Sequence, residues 1–112
     1  MASIVRVDEN DLPWVEYTGT PPGRVRAKAI TPRGGAAPPV QYVEYAPGHA
    51  DGMHSHEEGE VFFITAGSVA IGDTVNGPGS VIYIPPGVEY AMHAGDEGLR
   101  FFRIVVPSRG AS

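Results

Sequence analysis

Cysteine does not occur in this chain, so neither disulfides nor thiolate metal ligands can contribute to its fold or chemistry. Long apolar runs are missing as well, and no segment approaches the length of a membrane span. The first twelve residues carry Asp8, Glu9 and Asp11 and no apolar stretch of signal-peptide kind. A soluble, cytoplasmic protein is therefore expected, with no membrane partner. Positive charge is also in short supply. With 8 basic against 13 acidic residues and a formal charge of -5, the chain has no electrostatic footprint of a nucleic-acid binder. The few bases do cluster, at Arg24, Arg26, Lys28 and Arg33. The first three alternate with Val25, Ala27 and Ala29, as on a strand with one charged face. A solvated face that discourages edge pairing and an anion-binding strip both fit that pattern.

Glycine and proline, by contrast, are abundant, and their placement sets the fold class. There are 15 glycines and 11 prolines, and beyond residue 12 they leave only short windows free of both. Those windows suit strands of about five or six residues and are too short for ordinary helices of about ten or more. Turn chemistry separates them: Pro21-Pro22-Gly23, Gly34-Gly35, Pro38-Pro39, Pro47-Gly48, Asn76-Gly77-Pro78-Gly79 and Pro85-Pro86-Gly87. The chain reads as all-β, with strands over residues 14–17, 25–30, 40–45, 60–65, 68–71, 80–84, 89–93 and 100–106. A further short strand over residues 4–7 is compatible with the pattern. Many short strands at even spacing predict a sandwich or barrel. Hydrophobic residues make up 42% of the chain, enough for one core in a single domain of this length. Residues 1–36 are expected to form an N-terminal arm and outer strands, 37–106 the barrel core, and 107–112 a frayed tail. Residues 60–65 and 80–84 are apolar on both faces, which predicts a layer outside the barrel, either the arm or a second subunit.

The stretch over residues 48–60 carries the chemistry. His54 and His56 are two apart, so on an extended segment their side chains share a face. The Glu57-Glu58-Gly59 run can turn the chain so that Glu60 opens the next strand toward the same point. Two imidazoles and a carboxylate form the kind of three-ligand face that holds Fe(II) and also suits Mn, Ni or Zn. If all three are buried in an apolar barrel, they need a charge to neutralise them. A metal-free, hydrogen-bonded cluster is the other reading.

These residues resemble the cupin superfamily. Its first motif runs glycine, five residues, His-x-His, three or four residues, Glu, six residues, glycine; Gly48, His54, His56, Glu60 and Gly67 match it throughout. Its second motif runs glycine, five residues, Pro-x-Gly, two residues, His, three residues, Asn; Gly79, Pro85 and Gly87 match, with a turn over residues 73–78 between the motifs. The arm, with Trp14, Gly23 and Lys28, is loosely similar to small single-domain cupins that include diketone- and acetophenone-cleaving dioxygenases. The resemblance implies a double-stranded β-helix, or jelly roll, with a divalent metal held inside by His54, His56 and Glu60, and a protein that pairs as a homodimer. The sequence departs from the family where a fourth ligand is expected. Tyr90 stands there, and Ala94 stands at the asparagine position. The nearest histidine, His93, falls on the opposite face of a regular strand from Tyr90, whereas Met92 shares the face of Tyr90.

Tyr90 has three readings: a phenolate ligand, a hydrogen-bond or proton donor beside the metal, or a filler of the space left by the histidine. The donor role is the working expectation, since an unperturbed tyrosine titrates near 10. His49 reads as a rim or surface residue, and Glu57 and Glu58 as solvated turn residues or orienting partners of a ligand. Phe62, Ile64, Ile82, Ile84, Met92, Phe102 and Ile104 read as barrel filling. Phe62, Met92 and Tyr42 are the candidates to border a substrate pocket, and Glu44, on the face of Tyr42, can point inward or outward. The expected function is a metal-dependent enzyme acting on a small oxygenated substrate by chelation. Dioxygenase-type cleavage and non-redox isomerase, cyclase or decarboxylase chemistry all fit. The alternative is a non-catalytic module that binds or senses a small molecule, with or without metal.

Overall fold

The structure is a computed structural model, and it describes residues 3–107. Residues 108–112 of the expected tail lie outside the described part. Among the described residues there is no α-helix; a 3-10 turn at Glu9–Asp11 is capped by the Asp8 carboxylate, which accepts from the amide of Asn10. The strands are β1 (Val15–Glu16), β2 (Val25–Thr31), β3 (Val40–Tyr45), β4 (Gly59–Ile71), β5 (Thr74–Asn76), β6 (Val81–Ile84) and β7 (His93–Val106). All pairings are antiparallel, in the order β1-β2-β3-β7-β4-β5, with β6 on the other edge of β4. The sheet curls into a double-stranded β-helix, as expected. Among the described residues, no helix is long and apolar enough to cross a membrane.

Two strands are longer than the glycine pattern predicts. The segments expected at 60–65 and 68–71 are one strand, β4, because Gly67 bends the chain without ending it. It takes a φ of 72°, which L side chains rarely adopt, and the pairing with β7 shifts register on either side of it. A Cβ at Gly67 would sit inside the carbonyl oxygen of Gly98, so the two strands cross there backbone to backbone. Likewise β7 starts at His93, joining the expected 100–106 strand to the end of the preceding one. Residues 73–78, expected as a turn, contain β5. No strand forms over 4–7.

Residues 48–56 run antiparallel to 87–95 without forming a regular ladder. The amide of Gly48 donates to Gly95 O, Ala94 to His49 O, Asp51 to Met92 O, and Gly87 to His56 O. Between them His54 and Tyr90 exchange both backbone bonds, each at 2.9 Å. The loop is pinned further by Asp51, whose carboxylate accepts from the amide of Met92 at 2.6 Å and from the Tyr45 hydroxyl at 2.8 Å.

The interior is filled by Val43, Phe62, Ile64, Val69, Leu99 and Phe101, all fully or almost fully buried. Each such side chain contributes about 1.5–3 kcal/mol by leaving water. Here the parity of β7 corrects the sequence reading: Phe101 and Val105 face inward, not Phe102 and Ile104. Register makes this unambiguous, because Phe101 pairs with Val43 and Ile64, whereas Phe102 pairs with Tyr42 and Phe63 on the outer face. Both faces of β7 are apolar, so alternation alone cannot choose between them.

The expected outer layer exists over only part of the barrel. The arm lays Trp14 on Tyr42 (ring centroids 5.4 Å apart), which in turn stacks on Phe102 at 4.4 Å. Lys28 is buried under the arm and bonds Glu9 through both the carboxylate (2.7 Å) and the backbone carbonyl (2.8 Å). The outer face of β4 and β6 stays bare: Val81 is 66%, Tyr83 54% and Phe63 40% exposed.

Candidate functional site

The reciprocal backbone pair explains why the first-motif histidines meet Tyr90. Residues that exchange both backbone bonds project their side chains from the same face, about 5.5 Å apart at Cα. The His54 and Tyr90 rings accordingly lie 4.5 Å apart, and the His56 ring is 5.0 Å from that of His54. Glu60, at the start of β4, points to the same place. Its Oε1 accepts from the Tyr90 hydroxyl at 2.9 Å and is 3.6 Å from His56 Nε2. Phe62 backs the tyrosine with ring centroids 6.0 Å apart.

Burial is uneven across this group. Glu60 is 4% exposed, but His54 is only half-buried and the His56 side chain is open to solvent. The expectation of three buried polar ligands therefore holds for the carboxylate alone. His54 Nδ1 lies 2.7 Å from the carbonyl oxygen of Gly52. A carbonyl only accepts, so Nδ1 carries the proton, and in the neutral ring Nε2 keeps its lone pair. Tyr90 stays a phenol. Burial, and then the charge and hydrogen bond of Glu60, push its pKa well above the usual value of 10.

The residue missing from the sequence reading is Arg103. With Phe102 and Ile104 assigned to the interior it would have faced water; the actual parity turns it inward. Its Nη1 donates to Gln41 Oε1 at 2.9 Å and to the Tyr17 hydroxyl at 3.1 Å, and Tyr17 donates to the same Gln41 oxygen at 3.0 Å. Its Nε stands 3.6 Å from Glu60 Oε2, close enough to balance charge but too far for a hydrogen bond. Among the described residues, that Nε is the one buried side-chain nitrogen or oxygen without a hydrogen-bond partner. Leaving such a donor unpaired costs about 1–3 kcal/mol. A cavity of about 280 Å³ opens on the Arg103 side, with Tyr17, Gln41 and Arg33 also in its wall.

The other candidates fall into place around this centre. Met92 is buried beneath it, and Phe62 is its apolar backing rather than an open pocket wall. Tyr42 is outside: it lies under Trp14 on the outer face, with its hydroxyl 2.8 Å from that of Thr65. Glu44 shares that face, where it bonds Arg26 at 2.5 Å and Arg100 at 2.7 Å. The basic run is thus spent on ion pairs at Arg26 and Lys28. His93 is exposed at the start of β7, away from Tyr90. His49 is buried against Tyr45 rather than at the rim, ring centroids 5.0 Å apart. Glu58 pairs with Arg33 at 3.0 Å.

As donors, two imidazoles and a carboxylate fit a divalent ion in kind. The described residues nevertheless bring no three His, Cys, Asp or Glu side chains together as a ready metal cluster. Glu60 is instead bonded by Tyr90 and faced by Arg103.

An antiparallel sheet curled into a double-stranded β-helix, with a buried carboxylate bonded to a tyrosine in its wall, defines the class of small jelly-roll barrels. The family follows from the chain itself: the Cupin domain profile matches residues 41–106, and this chain belongs to the cupin family. Solved structures share the fold. The polyketide cyclase RemF from Streptomyces resistomycificus superposes with a TM-score of 0.77 at 20% identity, over 92% of this chain and 79% of that one. KdgF from Halomonas sp. gives 0.76 at 16% identity, over 96% and 97%. A predicted oxalate decarboxylase from Thermotoga maritima gives 0.74 at 16% identity, over 93% and 100%. At such identities the likeness is one of fold. A search of curated proteins found no match.

Proposed function

We propose that this cupin is a metal-dependent enzyme in which His54, His56 and Glu60 hold a divalent ion, Fe(II), Mn, Ni or Zn, and a small oxygenated molecule is the substrate. The observation that supports this reading is the His54–Tyr90 backbone pair, beside which the Tyr90 hydroxyl bonds the buried Glu60 and His56 Nε2 lies 3.6 Å from the same carboxylate. A divalent ion bound there would polarise the substrate as a Lewis acid, or supply O₂ chemistry if it is redox-active. The chain's own groups do the rest. The exposed His56 side leaves an entry from solvent, and Phe62 and Met92 keep water from behind. Tyr90 holds its proton through the physiological range and can pass its hydrogen bond from Glu60 to a substrate oxygen. Cleavage by a dioxygenase route and non-redox isomerase, cyclase or decarboxylase chemistry both use such a donor. Neighbours of the same fold are called a polyketide cyclase and a predicted oxalate decarboxylase, which supports keeping cyclase and decarboxylase chemistry among the candidates.

A second reading has its own support. Tyr90 on Oε1 and Arg103 facing Oε2 stabilise the Glu60 carboxylate without metal, as a non-catalytic binding module would require. Elemental analysis of protein purified without added metal separates the two. The enzyme reading expects near-stoichiometric metal. It fails if the protein carries less than about a tenth of an equivalent and recovers none on soaking with Fe(II), Mn, Ni or Zn.

We further infer a homodimer formed through the bare outer face of β4 and β6. Val61 pairs with Tyr83, and Phe63 with both Val81 and Phe102, so the exposed side chains form one patch and not scattered residues. The arm, which covers the neighbouring face, leaves this one to a second copy.

A further inference from the structure

We propose that the cavity beside Arg103 is a binding site for a small organic carboxylate, with Arg103 and Arg33 holding its anionic end. This deepens the proposed function by naming a substrate class, and it rests on that reading only in so far as the bound carboxylate is the molecule acted upon. The wall of the cavity contains both guanidinium groups and no carboxylate, in a chain with 13 acidic and only 8 basic residues. The acids nearest to it are already engaged: Glu60 with Tyr90 and facing Arg103, Glu58 with Arg33.

Arg103 is built as a clamp. Tyr17 and Gln41 form a closed triangle with its Nη1, which fixes the plane of the guanidinium before any ligand arrives. A planar fork held in place, with both Nη1 hydrogens on Gln41 and Tyr17, presents Nη2 to a carboxylate oxygen and loses little freedom on binding. Its Nε is buried and faces Glu60 Oε2 at 3.6 Å, so the donors left for a ligand are those of Nη2. Arg33 stands at the mouth, exposed over 69% of its side chain, with one donor on Glu58 and others left over. Ala29, Pro32, Pro39 and Val105 give the rest of the wall an apolar lining for a short hydrocarbon body. At about 280 Å³ the space sits at the lower edge of ligand pockets, which run roughly from 300 to 1,000 Å³. It takes a small acid, not a sugar chain or nucleotide.

The test is an amide NMR titration of chelator-treated, metal-free protein with sodium benzoate, using benzyl alcohol as the neutral molecule of similar size. The expected result is saturable shifts at Ala29, Gln41 and Val105, with a Kd on the order of 1 mM and binding of the alcohol weaker by about tenfold or more. Arg33→Gln, at an exposed position, should weaken benzoate severalfold; Arg103→Lys, which keeps the charge and loses the fork, should do the same. If Arg103→Lys does not fold, the shift map and Arg33→Gln decide. Equal binding of alcohol and acid, or shifts away from these strands, overturns the proposal. If benzoate binds only after Mn or Zn is added, with shifts at His54 and His56, the carboxylate goes to the metal and the cavity proposal is wrong while the metal reading stands. Binding at the cavity in protein that takes up no metal supports the site and sinks the enzyme reading instead.

Discussion

Tyr90 is where this chain leaves the family pattern, and the structure gives its hydroxyl a definite partner in the buried Glu60. Tyr90→Phe should leave metal affinity, read by chelator competition, nearly unchanged, while any turnover falls by about a hundredfold, as loss of a general acid does. Metal lost from the Phe variant would make the tyrosine a ligand after all. His49 yields a prediction in pH. Burial, then the nearby Arg24, holds its pKa below the usual 6.5, against the pull of Asp51. Protonation therefore favours the unfolded chain. The stability His49 contributes is full above about pH 6.5 and is lost as pH falls below that toward its depressed folded value. His49→Gln should flatten the dependence of Tm on pH between about 6.5 and 5, where the parent protein declines; an unchanged slope would show that other groups set it.

Among the elements, β4 depends on Gly67 for both its bend and its approach to β7. Gly67→Ala combines backbone strain with a clash against the Gly98 carbonyl, and chemical denaturation should show a loss of about 3 kcal/mol or more. A loss below about 1 kcal/mol would mean the crossing can open. The same glycine shows what was legible in the sequence and what was not. Turn residues correctly marked the all-β class and placed β2, β3 and β6 almost to the residue. They could not reveal that Gly67 kinks a strand instead of ending one, since a bulge and a turn use the same residue. Motif spacing pointed to His54, His56 and Glu60; the structure sets His54 beside Tyr90 and His56 within 3.6 Å of Glu60, without a three-ligand cluster among the described residues. The inward turn of Arg103 was not readable. Phe101-Phe102 and Ile104-Val105 present apolar groups to both faces, so parity was decided by pairing with β3 and β4 and not by local pattern. Asp51 was likewise invisible as a loop anchor, because its partners lie on other segments, Tyr45 at the end of β3 and Met92 just before β7.

For the molecule as a whole, the two outer faces are treated differently. One is sealed by Trp14 with Arg26, Lys28 and Arg100 gathered over its ring at 4.5, 4.9 and 5.3 Å. The other exposes Phe63, Val81 and Tyr83. Size-exclusion chromatography with light scattering should return a dimer, and Val81→Glu should return a monomer of unchanged fold, because a charge there would be buried unpaired. A parent protein that is monomeric would leave the patch without its proposed occupant. The backbone exchange between His54 and Tyr90 has a consequence at this scale too. It couples the two halves of the motif pair at one residue from each, so the distance between the imidazole and the phenol is set by backbone pairing and not by side-chain packing. On the function proposed above, that spacing is the one between the phenol and the metal-side imidazole. On that reading, substitutions at exposed positions over residues 51–58 would change which molecules enter before they change that distance.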